Sequence, residues 1–281
     1  MRGTTSSTQR VIPLRKKILM YIGAGIILLM VVVAVLAPWL AIQDPNQMSL
    51  PDRNQGPSWA HPFGLDENGS DVFSKVVYGA RVSLGVALTV VTLSTLVGLL
   101  LGSLAGYMGR WVDGLIMRLI DMISAFPNFL LALGLVAMLG PSVRNVIIAM
   151  CLTSWASYAR LVRGEVLHLK ERDFVISAQA MGAGPFRQVV VHIWPNLVGT
   201  LVVHCSFAMA GTIIAESGLS FLGLGAPPTT PTWGALLDSG RKILLEAPHV
   251  SLFPGLAILL LVLGFNLFGD GLRDYLDPKK L

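Results

Sequence analysis

The chain has 281 residues, of which 53% are hydrophobic and only 13% are charged. Soluble domains carry about 25% charged residues, so this composition excludes an ordinary soluble protein and favours one that crosses a membrane. The formal net charge is +5, from 21 basic and 16 acidic side chains. The basic residues follow the distribution expected of a membrane protein, so the excess does not call for a nucleic-acid partner.

Apolar stretches long enough to cross a bilayer recur along the chain. A membrane-spanning helix needs about 20 predominantly apolar residues. Five stretches meet this requirement: 18–42, 83–107, 143–159, 197–222 and 252–269. A sixth, 112–139, carries Asp113, Arg118 and Asp121 in its first half. We predict an all-α membrane protein with six transmembrane helices. The alternative for 112–139 is a surface helix followed by a re-entrant segment.

The first apolar stretch, 18–42, is predicted to be a retained anchor that follows a basic N-terminal tail, 1–17. A cleaved signal peptide has an apolar region of only about 7–15 residues. Pro38 and Trp39 also stand where such a signal would carry small residues near its cleavage site.

The distribution of lysine and arginine predicts the orientation, because basic residues concentrate in cytoplasmic segments. With both termini in the cytoplasm, 15 of the 21 basic residues lie inside and 6 lie outside. The inverted topology would place most of them outside. The prediction makes 43–80 a periplasmic loop and places 223–251 on the same outer side. The core domain is 81–272, its segment 164–196 is cytoplasmic, and so is the C-terminal tail, 273–281.

Two predicted spans contain residues that shape helix packing. Gly98, Gly102 and Gly106 share one helix face and permit close approach of another backbone, either inside the subunit or at a subunit interface. Pro127 lacks an N–H and is expected to kink the third span. Arg118 and Asp121 are three residues apart, which favours an ion pair within the helix over a polar hinge.

The interiors of the remaining spans hold few ionisable groups, chiefly His204 and Glu216 in the fifth span. Ion-coupled transporters generally use intramembrane acids, so the energy for transport is expected to come from elsewhere. Glu216 lies about 30 Å along a helix from Asn196, near the outer interface. It is a candidate for gating or the transport pathway, as is Pro127. His204 is interpreted as a packing residue.

No constellation of residues indicates catalysis or cofactor binding. The sequence lacks a phosphate-binding loop of the Gly-x-x-x-x-Gly-Lys-Ser/Thr type. Segment 66–71 superficially resembles a calcium loop, but Asp71 and Val77 stand where an EF-hand needs glycine and glutamate, so a turn and a capped helix over 72–78 are predicted. Cys151 and Cys205 lie in predicted spans and are expected to be free thiols rather than a disulfide. We predict a non-enzymatic chain without a bound metal.

The polar segment 164–196 interrupts the apolar pattern and predicts a short helix over Phe174–Met181. Asp173 can cap its start, and Gly182 or Gly184 can end it. Pro185 suits the first position of a second helix, and Pro195 marks the entry to the fifth span.

Phe174, Val175, Ala178 and Met181 are expected to share one side of the short helix. Such an apolar patch among charges suggests a helix that docks in the groove of a partner protein. The alternative is a helix that lies on the lipid surface.

This segment resembles the EAA loop of ATP-binding cassette (ABC) importer permeases, because Ser177-Ala178-x3-Gly182 is followed by Pro195, thirteen residues after the glycine. Ile176 stands at the family's glutamate. Further motifs narrow the resemblance to the dipeptide/oligopeptide/nickel permease group, DppC/OppC-like, over about residues 30–281. These motifs are Phe63–Ser74, Gly79–Leu84, Glu216–Gly225, Pro231–Gly234, Phe253–Gly255 and Phe265–Pro278.

The resemblance implies a type I ABC importer permease fold in the bacterial inner membrane. It also implies a homologous second permease, two cytoplasmic ATPase subunits that hold ATP and Mg²⁺, and a periplasmic substrate-binding protein. Di- or oligopeptides are the implied substrates, and the alternatives are nickel, metal chelates or glutathione-like molecules; an ion-coupled secondary transporter is the rival class. The implied ATPase-coupling residues are Asp173, Phe174, Ala178, Met181, Gly182, Ala183 and Pro195.

Overall fold

The computed structural model describes residues 14–227 and 229–276, and every regular element in that part of the chain is helical. Most of the predicted tail 1–17 and the end of the predicted tail 273–281 lie outside the described residues. A 3-10 turn forms at Leu50–Asp52, and a π-helical segment, Gln188–Ile193, precedes α9. The α-helices are α1 (Leu14–Val35), α2 (Ala37–Leu40), α3 (Val72–Met108), α4 (Arg110–Ser124), α5 (Asn128–Leu139), α6 (Val143–Leu169), α7 (Asp173–Ala180), α8 (Pro185–Arg187), α9 (Trp194–Phe221), α10 (Trp233–Lys242) and α11 (His249–Leu276).

Five helical runs in the described chain are long and apolar enough to cross a membrane, which confirms five of the predicted spans. They are Lys17–Val35, Val72–Met108, Val143–Leu169, Pro185–Phe221 and His249–Leu276. The bundle has two different ends. One carries α7 and is called here the α7 end; the other carries segments 41–71 and 222–248 and is called the long-loop end.

The sixth predicted span is a bent pair of helices, because α4 and α5 meet at an angle of 80°. Pro127 lies at the junction and occupies the position just before α5, where its fixed φ starts a new helix and its missing N–H costs little. The described part of the chain has six candidate spans if this pair is counted as one. The predicted kink at Pro127 is therefore confirmed, and the break is sharper than a kink within one helix.

Two ion pairs attach α4 to α6. Asp113 pairs with Arg163, and Asp121 pairs with Arg160 at 3.1 Å, so the predicted partner of Asp121, Arg118, is wrong. Asp113 and Asp121 are separated by about 12 Å along α4, whereas their partners are separated by only about 4.5 Å along α6. This difference indicates that α4 crosses α6 at an angle rather than running alongside it.

The glycine face of α3 packs against α6 within this chain. A Cβ atom on Gly102 would lie 2.5 Å from the carbonyl oxygen of Ala159 and 2.8 Å from Cβ of Val162. The shortest distances would be 2.3 Å at Gly98 and 2.9 Å at Gly106. Of the two predicted uses of these glycines, the structure shows the internal one: glycine lets the backbones of α3 and α6 approach where any side chain would collide.

The start of α3 is secured at the long-loop end, as the sequence predicts. The Asp71 carboxylate accepts hydrogen bonds from the backbone N–H of Ser74 at 2.7 Å and from its hydroxyl at 2.6 Å. The Asp66 carboxylate accepts bonds from the backbone N–H groups of Asn68 and Ser70 and pairs with Lys75. Both carboxylates therefore serve the loop itself, and no group of three or more metal-ligating side chains occurs in the described ranges.

Helix α10 closes the long-loop end over α3 and α9. The Trp233 side chain is fully buried, and its Nε1–H donates to the carbonyl oxygen of Val76 at 2.9 Å. Thr232 caps the helix by accepting a hydrogen bond from the N–H of Ala235. A Cβ on Gly79 would lie 2.8 Å from the Trp233 ring, so α3 accommodates this indole only because residue 79 is a glycine.

Candidate functional site

The short helix α7 forms within the predicted segment, but its start differs from the prediction. Arg172 precedes the helix, and its carbonyl oxygen accepts hydrogen bonds from the N–H groups of Val175 and Ile176. Asp173 is the first helical residue and makes no capping bond, so the predicted Asp173 cap is wrong. Its carboxylate still lies in the first turn, where a negative charge interacts favourably with the helix dipole.

Helix α7 ends at Gly182 in a Schellman motif. Gly182 has φ +87°, and its N–H donates to the carbonyl oxygen of Gln179 at 2.9 Å. The N–H of Ala183 reaches back to the carbonyl oxygen of Ala178 at 3.0 Å. A glycine is favoured at this left-handed position because it has no Cβ, which confirms Gly182 as the end of the helix.

Gly184 instead precedes α8, where Pro185 takes the first position as predicted.

The two sides of α7 have different roles, which corrects the predicted apolar patch. Val175 and Ala178 are only 1% and 3% exposed, and Val175 packs into a buried cluster with residues of α6 and α9. The exposed apolar side chains are Phe174 (43%), Ile176 (50%) and Met181 (82%). We call these three the outer face of α7, meaning the wide part of its circumference that does not pack on the bundle, with Phe174 and Met181 toward one edge and Ile176 toward the other.

The contribution of Ile176 to the outer face is the part that the sequence reasoning missed. A signal for it existed, because an isoleucine at the acidic position of the resembling family adds a third large apolar side chain to this short helix.

A buried glutamine joins the turn after α7 to the end of α3. The Tyr107 hydroxyl donates to Oε1 of Gln188 at 2.8 Å, and Nε2 of Gln188 donates to the carbonyl oxygen of Ala183 at 2.6 Å. Before α7, Nζ of Lys170 donates to the carbonyl oxygen of Gly106 at 3.1 Å. The chain on both sides of α7 is therefore attached to the same end of α3, a connection that sequence spacing does not reveal.

Pro195 is the second residue of α9, which confirms that it marks the entry to the fifth span, although the helical run that contains α9 already begins at Pro185. A proline clashes with the carbonyl group four residues earlier and donates no hydrogen bond. The π-helical turn just before it places the Trp194 N–H on the carbonyl oxygen of Val189 and widens the helix locally. The Trp194 indole donates to the hydroxyl of Ser103 on α3 at 3.0 Å.

Glu216 is buried in the contact between α3 and α9. Its carboxylate accepts hydrogen bonds from the hydroxyls of Ser83 at 3.1 Å, Ser220 at 2.8 Å and Ser217 at 3.5 Å. Only 2% of the residue is exposed. Hydroxyl groups from two helices thus surround the Glu216 carboxyl group. The roles of Glu216 and Pro127 in gating stay predictions.

The other ionisable or reactive groups of the spans have packing roles in this structure. The His204 ring makes an edge-to-face contact with Tyr158, with 4.7 Å between ring centroids. Cys151 and Cys205 are free thiols, and the Sγ atom of Cys205 lies 3.3 Å from the hydroxyl of Thr95. The expectations for these three residues are confirmed.

Known proteins match nearly the whole chain. The family model of the binding-protein-dependent transport system inner membrane component matches residues 98–281, and that of the N-terminal transmembrane domain of oligopeptide transport permease C matches residues 9–57. The dipeptide transport system permease protein DppC of Alkalihalophilus pseudofirmus is 43% identical over 95% of this chain and 88% of its own length.

Two further relatives are glutathione transport system permease proteins named GsiD. That of Shigella dysenteriae is 47% identical over 92% of this chain and 85% of its own length. That of Pectobacterium atrosepticum is 45% identical over 92% of this chain and 86% of its own length.

Together with the helical spans, these relatives identify the class of protein. The chain is a multi-pass protein of the inner membrane and a permease subunit of an ABC transporter. The chain belongs to the family of binding-protein-dependent transport system inner membrane components.

Proposed function

We propose that this chain is one permease subunit of an ATP-driven importer that carries di- or oligopeptides across the inner membrane. The observation that carries the proposal is the outer face of α7: Phe174, Ile176 and Met181 expose apolar area on a helix that is anchored on its opposite side. A short helix of this kind suits the groove of a partner protein. Relatives named for dipeptide and glutathione transport support peptides as the substrate class.

The α7 segment would couple the permease to an ATPase. The outer face would contact the ATPase, and Val175 and Ala178 would transmit its movement to α6 and α9. The Schellman turn at Gly182 and Ala183 would keep the direction of α7 constant. Pro195 and the π-helical turn beside it would be the point where movement enters the long run to Phe221, since π-helical turns often occur at functional positions.

The proposed assembly contains a homologous second permease, two cytoplasmic ATPase subunits and a periplasmic substrate-binding protein. The ATPase subunits would hold ATP and Mg²⁺, because this sequence has no phosphate-binding loop. The binding protein would choose the substrate, which makes glutathione, itself a tripeptide, a second candidate supported by the GsiD relatives.

The proposal predicts that uptake depends on ATP and not on the proton gradient. Uptake of a labelled dipeptide would be measured in cells with the complete transporter, first under ATP depletion with the gradient maintained, then with the gradient collapsed and ATP present. We expect uptake to stop only in the first case. Uptake that survives ATP depletion and stops when the gradient collapses would favour a secondary transporter. A purified chain that hydrolyses ATP alone would contradict the subunit assignment.

The proposed orientation, with both termini and the α7 end in the cytoplasm, predicts the location of the long-loop end. The test uses a reporter enzyme that is active only in the periplasm. Inserted after Leu245, which is fully exposed between α10 and α11, the reporter should be active. A matched second insertion places the same reporter after Met181. We expect opposite signals from the two, and a cytoplasmic signal from the insertion after Leu245 would overturn the orientation.

A further inference from the structure

A polar groove lies between α3, α6, α9 and the start of α5. Its volume is about 200 Å³. Small residues of α9, among them Ala208 and Gly211, leave space for it, and Asn128, Ser157 and Gly211 are exposed, so it opens on the surface of the chain. The polar side chains that line the groove are Ser94, Asn128, Ser154, Ser157, Tyr158 and Thr212.

The groove lies near the middle of the spans. Ser154 is about 16 Å from the start of α6 and about 22 Å from its end. Thr212 is about 14 Å from the end of α9. A bilayer core is about 30 Å thick, so these hydroxyl groups lie at the depth where lipid offers them no hydrogen bonds.

Two of these hydroxyl groups, those of Ser94 and Tyr158, are buried without a hydrogen bond of normal geometry within the described residues. Ser94 is 1% exposed and lines the groove, and its Oγ makes no hydrogen bond of normal geometry within the described residues. The thiol of Cys151, a weak partner, lies beside it. An unsatisfied polar group is costly in an apolar environment, so the groove requires water or a polar ligand rather than lipid.

A second groove of this chain has a different lining. It has a volume of about 740 Å³ and lies between α1, α3, α9 and α11. Its lining is largely apolar, with Ile27, Val31, Leu84 and Phe265 among its residues, and its polar side chains are those of Arg81, Thr92 and Thr95. The contrast separates the two sides of α3: the side toward α1 suits acyl chains, and the side toward α6 suits a hydrogen-bonding ligand.

We infer that the polar groove is this chain's half of the transport pathway, where hydroxyl and amide groups hydrogen-bond the main chain of the passing peptide. This inference rests on the proposed function. Every lining side chain is uncharged, so the groove offers partners for peptide N–H and C=O groups without selecting charged side chains. Ligand pockets usually measure about 300–1,000 Å³, so the second permease would supply the other half.

A pair of substitutions that remove only hydroxyl groups tests this assignment. In the complete transporter, Ser154→Ala combined with Thr212→Val should lower the kcat/KM of peptide uptake about 30-fold, the effect of losing two ordinary hydrogen bonds. Stimulation of the ATPase by the loaded binding protein should persist. The matched control is Thr89→Val, since Thr89 is exposed on α3 outside the groove and bonds to the carbonyl oxygen of Gly85. Its uptake should stay within about twofold of wild type.

A labelling experiment covers the case in which the double variant fails to assemble. Ser157, which is exposed in the groove, would be replaced by cysteine in a chain that carries Cys151→Ala and Cys205→Ala. We expect a membrane-impermeant maleimide to label it, and peptide with binding protein and ATP to slow the labelling.

Wild-type uptake in the double variant, or labelling of Ser157→Cys only by a lipid-soluble reagent, would overturn the groove assignment. Failure of the wild-type transporter to take up peptide with ATP would instead reject the proposed function.

Discussion

Replacing Met181 with aspartate is expected to reduce ATP-dependent uptake about 100-fold, because an unpaired charge buried in an interface costs about 2–5 kcal/mol. The side chain is 82% exposed in this chain, so the permease itself loses little packing. The carboxylate would lie on the outer face at the C-terminal end of α7 and enter the proposed groove of the ATPase without a partner. Membrane insertion and the amount of permease should remain at wild-type levels.

The measurement is co-purification of the ATPase subunits with the detergent-solubilised permease, together with uptake in cells. Leu245→Asp is the matched control, since Leu245 is fully exposed but lies at the opposite end of the bundle. It should retain the ATPase subunits, whereas Met181→Asp should lose them. Normal co-purification and normal uptake for Met181→Asp would refute docking through this face.

Replacing Gly102 with alanine is expected to lower stability, although the same change elsewhere on α3 should raise it. The new Cβ would lie 2.5 Å from the carbonyl oxygen of Ala159, which is backbone and cannot rotate away. Overpacking of this kind costs about 1–3 kcal/mol. At Gly85 a Cβ meets nothing within 4 Å, and alanine is favoured over glycine within a helix by up to about 1 kcal/mol.

Thermal unfolding of the purified permease in detergent would distinguish the two variants. The midpoint should fall for Gly102→Ala and stay level or rise for Gly85→Ala. Equal midpoints for the two variants would show that α3 and α6 do not depend on this close contact. Because both changes add one methyl group to the same helix, differences in intrinsic helix propensity cannot account for opposite signs.

Local features of the candidate site could be predicted because they depend on backbone preferences of single residues. Gly182 ends α7 in a left-handed conformation, and Pro185 begins α8. Each preference acts within a few residues. The predicted position of Asp173 is wrong by one residue, since Arg172 takes the place before the helix and helix ends tolerate such shifts.

The direction that each side chain faces could not be predicted in the same way. Val175 and Ala178 are expected from the sequence to be exposed with Phe174, but both are buried, and Val175 packs into the cluster with α6 and α9. Ile176 is exposed because the side of α7 that carries Val175 packs on the bundle and Ile176 points away from it. On a helix of eight residues several rotations satisfy a weakly amphipathic pattern, and the contact with the bundle selects one.

The sequence by itself determined the membrane class, five of the spans, the start of α3, the end of α7, and the family. These depend on apolar length and local backbone preference, which act along the chain. Only the tertiary structure decided that the glycines of α3 face α6, that Asp121 pairs with Arg160, that Gln188 bridges Tyr107 and Ala183, and that six polar side chains meet in one groove. Those contacts join residues from different helices, and the packing angles that create them appear only when the helices are assembled.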